Sequence, residues 1–378
     1  MTAGWRCLVG LGLGSLLLAG CVEEPPAPEP WVWTVPAGFP EPHVPADNPM
    51  SAAKVELGRH LFYDKRLSNN QTMACASCHE QARAFTDGKA TGEGSTGHPL
   101  PRGSMSLANV GYLSIYTWAN PKLGDLEAQA LVPLFADFPL ELGAQQDTPA
   151  ILRRFADDAD YQEMFAAAFP EDEDPYTIER IVQAISSFER TLISGDAPYD
   201  RYVQTGDESA MSPAARRGMA LFFSERAECY HCHAGPNFST SFRSATTEAG
   251  PPDFQNNGLY NLDASGAYPA GNGGLFESSG DPRDQGKFRV PTLRNIALTA
   301  PYMHDGSIAT LGEVVDHYAA GGRQIADGPL AGDGRLNPNK STLVRPFEVS
   351  AEERADMVAF LESLSDEGFV NDERFAAP

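Results

Sequence analysis

Basic charge is scarce in this chain. Its 28 lysines and arginines face 51 aspartates and glutamates, a formal net charge of −23 over 378 residues. With no basic stripe to neutralise phosphates, a nucleic-acid partner is excluded. The acidic excess fits a solvated surface, or contact with a neutral or basic protein. The N-terminal apolar run, Leu8 to Ala19, is too short for an ordinary membrane-spanning helix. A sustained strand-like alternation is missing as well, which argues against a β architecture. Cysteines are few: of six, four sit in two short motifs and the others are Cys7 and Cys21, so none is left for a structural disulfide.

Those two motifs carry most of the information. Cys75-Ala-Ser-Cys78-His79 and Cys229-Tyr-His-Cys232-His233 are both Cys-x-x-Cys-His, the attachment signature of a c-type haem. Two thiols three residues apart on a helical turn can add to the two vinyl groups of one haem. The histidine that follows is then held beneath the iron as its proximal ligand. A zinc site would need further paired cysteines or histidines to complete a tetrahedron, and the chain has none.

The N-terminus reads as an export signal. Arg6 precedes the apolar run, and Leu18-Ala19-Gly20-Cys21 resembles a bacterial lipobox. Residues 1–20 are thus expected to be a lipoprotein signal peptide, with Cys21 lipidated and the protein held in the bacterial periplasm by a lipid anchor alone; a plain signal peptide with unlipidated Cys21 is the alternative. Residues 21–50 contain nine prolines and little periodicity, as expected of an extended tether.

The remainder is long enough for two domains, expected at 51–205 and 206–378, and reads as mostly α. Helices are expected over Ala52 to Phe62, over Pro213 to Phe223 behind Ser212 as N-cap, and over Thr310 to Tyr318. Ile178, Ile181, Val182, Ile185, Phe188 and Leu192 keep helical spacing, and Ser350 with Glu353 opens a last helix running to about Leu364. Asn256 to Gly286, rich in Gly, Asn and Asp, reads as a long irregular loop. A Gly-x-x-Leu-Phe stretch precedes each haem motif, at Gly58 to Phe62 and at Gly218 to Phe222, which marks a duplicated haem-binding unit.

The segment Lys287 to Gly306 (KFRVPTLRNIALTAPYMHDG), the order of the haem motifs and the run from Ser104 to Gly143 strongly resemble the bacterial dihaem cytochrome c peroxidase and MauG superfamily. The resemblance implies two cytochrome-c-like domains joined by long irregular loops, two covalent c-type haems, and a calcium ion between the domains. The haem of His79 would be open to hydrogen peroxide and the haem of His233 would store electrons. The resemblance makes Glu141 the carboxyl that moves a proton between the peroxide oxygens, with Gln129 and Pro133 lining the same pocket. His98 lies where some relatives carry a gating histidine. Trp118 matches a tryptophan that relays holes between the haems. Asn109 and the carbonyl oxygens of Thr299 and Pro301 resemble the calcium set.

The second ligand of the C-terminal haem separates the branches. Peroxidases use methionine, whereas the MauG branch uses tyrosine, and the position falls on Tyr318, with Met303 the competing sulfur ligand. Asp47 to Gly58, Ser104 to Asn109 and Thr117 to Pro121 look most like the MbnH branch, whose members oxidise a tryptophan of a periplasmic copper-binding partner of the MbnP type. The expectation is therefore a peroxide-driven enzyme acting on a protein side chain. A peroxidase fed by a small cytochrome or cupredoxin, and a non-catalytic dihaem electron carrier, remain alternatives.

Overall fold

The computed structural model describes residues 31–378, so the expected signal peptide, Cys7 and Cys21 lie outside the described residues. Long helices carry the architecture: α1 (Ala52–Tyr63), α2 (Leu126–Phe135), α3 (Thr148–Ala156), α4 (Ala159–Ala168), α5 (Ile178–Arg190), α6 (Pro213–Phe222), α7 (Leu311–Ala319) and α8 (Ala351–Glu362). The starts follow from side-chain caps. The Ser51 oxygen accepts from the Lys54 N–H at 3.2 Å, Ser212 caps α6 with Pro213 in its first turn, and Thr310/Glu313 and Ser350/Glu353 form capping boxes. Helices α2, α3 and α4 are not announced by apolar periodicity. Pro133 lies inside α2, and Asp125, Asp147 and Asp158 cap the three starts. Among the described residues, strands amount to two antiparallel pairs of two residues each.

The duplication is physical. Helix α1 packs across α5, and α6 across α8. Both crossings are too close for a side chain: a Cβ on Gly58 would sit 1.9 Å from the Ala184 carbonyl oxygen, and one on Gly218 would sit 1.9 Å from that of Asp356. Beside each glycine an aromatic pair fills the crossing, Phe62–Phe188 at 5.3 Å and Phe222–Phe360 at 5.1 Å. Burying one such ring stabilises by about 2 kcal/mol, so each crossing anchors its own core.

The match continues past both helices. Asn109 and Asn295 have left-handed backbones, φ 58° and 59°. Their N–H groups donate to the Leu192 and Leu364 carbonyls at 2.8 and 2.9 Å. Their side-chain oxygens accept from the Ser194 and Asp366 N–H groups, each at 2.8 Å.

Two expectations change. The stretch 21–50 is not a free tether over its described part: Asn48 is fully buried and donates to the Gln183 carbonyl and Glu127. Upstream, Tyr112 donates to the Pro40 carbonyl at 2.7 Å, while Phe39 packs on Tyr112 and under the Arg294 guanidinium of the second half. Prolines deny this strap a ladder of its own, but its carbonyls find donors on the body. The C-terminal residues also return to the first half: Phe369 packs on Phe85 at 5.6 Å, and Tyr63 donates to the Phe375 carbonyl at 2.7 Å. Residues 256–286 are irregular as expected, apart from short helical turns at Phe276–Ser279 and Pro282–Asp284.

Candidate functional site: two haem-attachment centres

Each Cys-x-x-Cys-His forms a tight turn. The Cys78 and His79 N–H groups donate to the Cys75 carbonyl at 3.1 and 3.0 Å, and those of Cys232 and His233 to the Cys229 carbonyl at 3.3 and 2.9 Å. All four cysteines are free and half-buried. Burial pushes their thiols up, to about 11 for Cys78 and Cys232 and about 12 for Cys229. Nδ1 of His79 meets the Phe85 carbonyl at 2.8 Å, and Nδ1 of His233 meets the Phe238 carbonyl at 3.0 Å. A carbonyl only accepts, so Nδ1 carries the proton and Nε2 keeps a lone pair for a metal. Burial lowers both histidines, which holds the imidazoles neutral. These residues fit two covalent haems.

Around the first centre, Gln129 and Pro133 lie one turn apart on α2. The Leu142 N–H donates to the Pro133 carbonyl at 2.9 Å, which draws the Glu141 segment onto that helix. A loop holds Glu141 from the other side: Ser95 donates to its carbonyl at 2.8 Å, and Gly94 approaches the Leu140 oxygen so closely that a Cβ would lie 1.9 Å from it. The Glu141 side chain is half-buried, and burial alone lifts its carboxyl to about 7. Its charge reaches both Cys75 and Cys78. Of these three residues, Glu141 is the one whose charge reaches the attachment turn, and the Pro133 carbonyl is what ties its segment to α2. His98 is exposed at the tip of the same loop.

The second centre opens on a cavity of about 270 Å³, lined by Cys229, Cys232, His233, Met303, Tyr318 and Leu361 among others. Tyr318 and Met303 both face it. Burial pushes the Tyr318 phenol up to about 12. Asn257, which the sequence did not single out, lines the same wall: its amide donates to the Met303 sulfur at 3.2 Å, and its polarity offsets part of the effect of burial on the phenol. Buried Arg289 adds a cation to the wall, lowered to about 10 by burial and suited to a haem carboxylate.

The same cavity reaches toward the first centre through Ser104, whose hydroxyl donates to Asp87 at 3.0 Å, and Trp118. The Trp118 indole donates to the Gly103 carbonyl at 2.9 Å, and its own carbonyl accepts from the Arg289 N–H at 2.8 Å. Thr299 and Pro301 also line this cavity, but Asn109 is not among the lining residues. Its amide oxygen accepts from the Ser194 N–H and its nitrogen donates to the Ser194 carbonyl at 2.9 Å. Asn109 thus holds the same framework place in the first half that Asn295 holds in the second.

The family described as di-haem cytochrome c peroxidase matches residues 52–209. The chain is 35% identical over 327 residues to the methylamine utilization protein MauG of Methylorubrum extorquens, covering 86% of this chain and 82% of that protein. It is 35% identical over 349 residues to the cytochrome-c peroxidase IdrP1 of a Pseudomonas species, covering 87% of this chain and 85% of the relative. A solved MauG-like protein associated with microbial copper homeostasis superposes with a TM-score of 0.90 at 51% identity, over 92% of this chain and 99% of that one. The chain is thus a member of the di-haem cytochrome c peroxidase and MauG family of oxidoreductases, built to carry two c-type haems.

Proposed function

We propose that this protein uses hydrogen peroxide to oxidise a side chain, a tryptophan, of a periplasmic partner protein by long-range electron transfer. The partner in this reading is a small copper-binding protein of the MbnP type. The observation that carries it is Tyr318 in the second cavity, beside a Met303 sulfur already engaged by Asn257. A hard phenolate ligand lowers a haem potential and favours storage of an oxidising equivalent over acceptance of electrons from a donor. The 51% identical MauG-like structure tied to copper homeostasis supports the same branch.

The two haems, when bound, supply iron redox chemistry on hydrogen peroxide. Glu141, lifted toward neutrality by burial, takes the proton from one peroxide oxygen and returns it to the other, which makes water a leaving group. Gln129 and Pro133 shape the pocket from α2 and limit what enters. Trp118, fixed at both its indole and its carbonyl, relays holes between the two centres. In this reading the carbonyls of Thr299 and Pro301, both in the cavity wall, would help hold a calcium ion. The substrate side chain stays on its own protein, so the site needs no substrate-shaped pocket. The lipid anchor at Cys21 would keep the enzyme at the membrane face; no helix among the described residues is long and apolar enough to cross a membrane.

A second reading, a peroxidase fed by a small cytochrome or cupredoxin, draws on Met303 facing the same cavity. One experiment separates them. The haem-loaded protein is given peroxide with a purified small copper-binding protein of the MbnP type, and the partner's tryptophan peptides are followed by mass spectrometry. Conversion of a tryptophan to kynurenine, with formate released, supports the first reading. An unmodified partner, together with rapid peroxide consumption driven by reduced cytochrome, supports the second.

A further inference from the structure

The two halves differ at one buried position that the chemistry above does not use. Gly58 abuts Ala184 and Phe188, and Gly218 abuts Asp356 and Met357, so α5 and α8 correspond residue by residue, with Phe188 matched to Phe360. Glu189 then corresponds to Leu361, which is buried and lines the second cavity with Cys229 and Cys232. Where the second half turns leucine toward its haem site, the first half turns a carboxyl. The electrostatics agree with that placement, because the Glu189 charge acts on the Cys75 thiol.

We propose that Glu189 is the proton-holding group of the first haem site, taking up a proton from solvent when that site gains an electron and releasing it when the electron leaves. The balance is one electron to the site and one proton to the carboxylate, giving a neutral carboxylic acid; no further reactant is needed. Glu189 is only 6% exposed, and its Oε2 has no hydrogen-bond partner. The adjacent cation does not hold it, since the Arg190 guanidinium turns to Glu127 on α2 at 2.7 Å. Glu127 is further satisfied by Asn48 at 2.7 Å.

The titratable groups facing Glu189 are therefore Arg190 on its own helix, Glu127 on α2 and Cys75 on the attachment turn. Burial raises the carboxyl to about 8, against a lowering by Arg190. A buried acid with no fixed partner follows the local charge, so an added electron favours its neutral form. Glu189 is a positioning residue in this sense: it sets the charge of the site and touches no substrate. The inference rests on haem at Cys75 and Cys78, which family membership supplies, and is independent of the protein partner.

The test is a potentiometric titration of the holoprotein from about pH 6 to about pH 9, following each haem by its own absorption. The first-haem potential is expected to fall as pH rises in the wild type. Glu189→Gln, close in shape but without charge, should flatten that slope. Glu189→Leu, which copies the second half, should flatten it too and covers the case in which the amide packs badly. The second-haem potential should be unchanged in both variants. Because Glu141 titrates in the same range beside the same turn, both Glu189 variants are also measured in a Glu141→Gln background, where they should abolish the slope that remains. A slope that survives both Glu189 variants in that background, or a flat wild type, would overturn the assignment. A wild type lacking any first-haem signal would instead overturn the haem site itself.

Discussion

The amide of Asn257 donates to the Met303 sulfur across 3.2 Å in the cavity wall that Tyr318 also lines, so of the two candidate ligands of the second haem the sulfur is already engaged. A sulfur that already accepts a hydrogen bond is the poorer ligand of the two. Tyr318→Phe is therefore expected to change the low-spin signal of the ferric holoprotein in electron paramagnetic resonance. Met303→Leu should leave that signal in place. A sulfur-to-iron band in the near infrared that ignores the tyrosine change and vanishes with Met303→Leu would reverse the assignment and favour the peroxidase reading.

Glu141 makes a prediction in pH. Only its carboxylate accepts a proton, and burial places its titration near 7. The rate constant for reaction with peroxide should rise with pH below about 7 and level off above it. Glu141→Gln should remove the rise and lower the rate by about 10²- to 10⁴-fold, read by stopped-flow absorption of the holoprotein. Unchanged kinetics in this variant would exclude Glu141 as the acid–base group.

Trp118 is held by the Gly103 carbonyl at its indole and by Arg289 at its backbone, so Trp118→Phe should preserve the fold while removing the oxidisable ring. Peroxide should still react at the first centre. The arrival of the oxidising equivalent at the second haem should slow by about tenfold or more, a barrier increase of roughly 1.4 kcal/mol. Equal transfer rates in the two proteins would mean that the indole is only packing.

The helix crossings predict stability. Gly58→Ala and Gly218→Ala would each drive a Cβ to 1.9 Å from a backbone oxygen, which no rotamer can relieve. Each should cost about 1–3 kcal/mol or more as the helices separate. Calorimetry of the holoprotein should show both losses, with reduced haem content in the half that carries the change. An alanine tolerated without a drop in melting temperature would contradict the close crossing.

Much of the chemistry was legible along the chain because it depends on local spacing. The Cys-x-x-Cys-His turns, the capped starts of α6 and α8, and the repeated Gly-x-x-Leu-Phe all act within a few residues, and sequence alone determined them. Helices α2, α3 and α4 were less visible because their stability comes from what they pack against, and Pro133 breaks the pattern of α2.

Only the tertiary structure decided what depends on groups far apart in the chain. It docked the strap from Pro36 to Asn48 across both halves and returned the last residues to the first core. It gave the Asn109 amide to Ser194, brought the Glu141 segment to Pro133 through the Leu142 N–H, and set Asn257 against Met303 in the cavity that Tyr318 lines. The physical reason is the same in each case. A local motif specifies a turn and the atoms it exposes, whereas the hydrogen-bond partner of a buried polar group, and hence its charge and its role, is supplied by whichever distant segment the core brings to it.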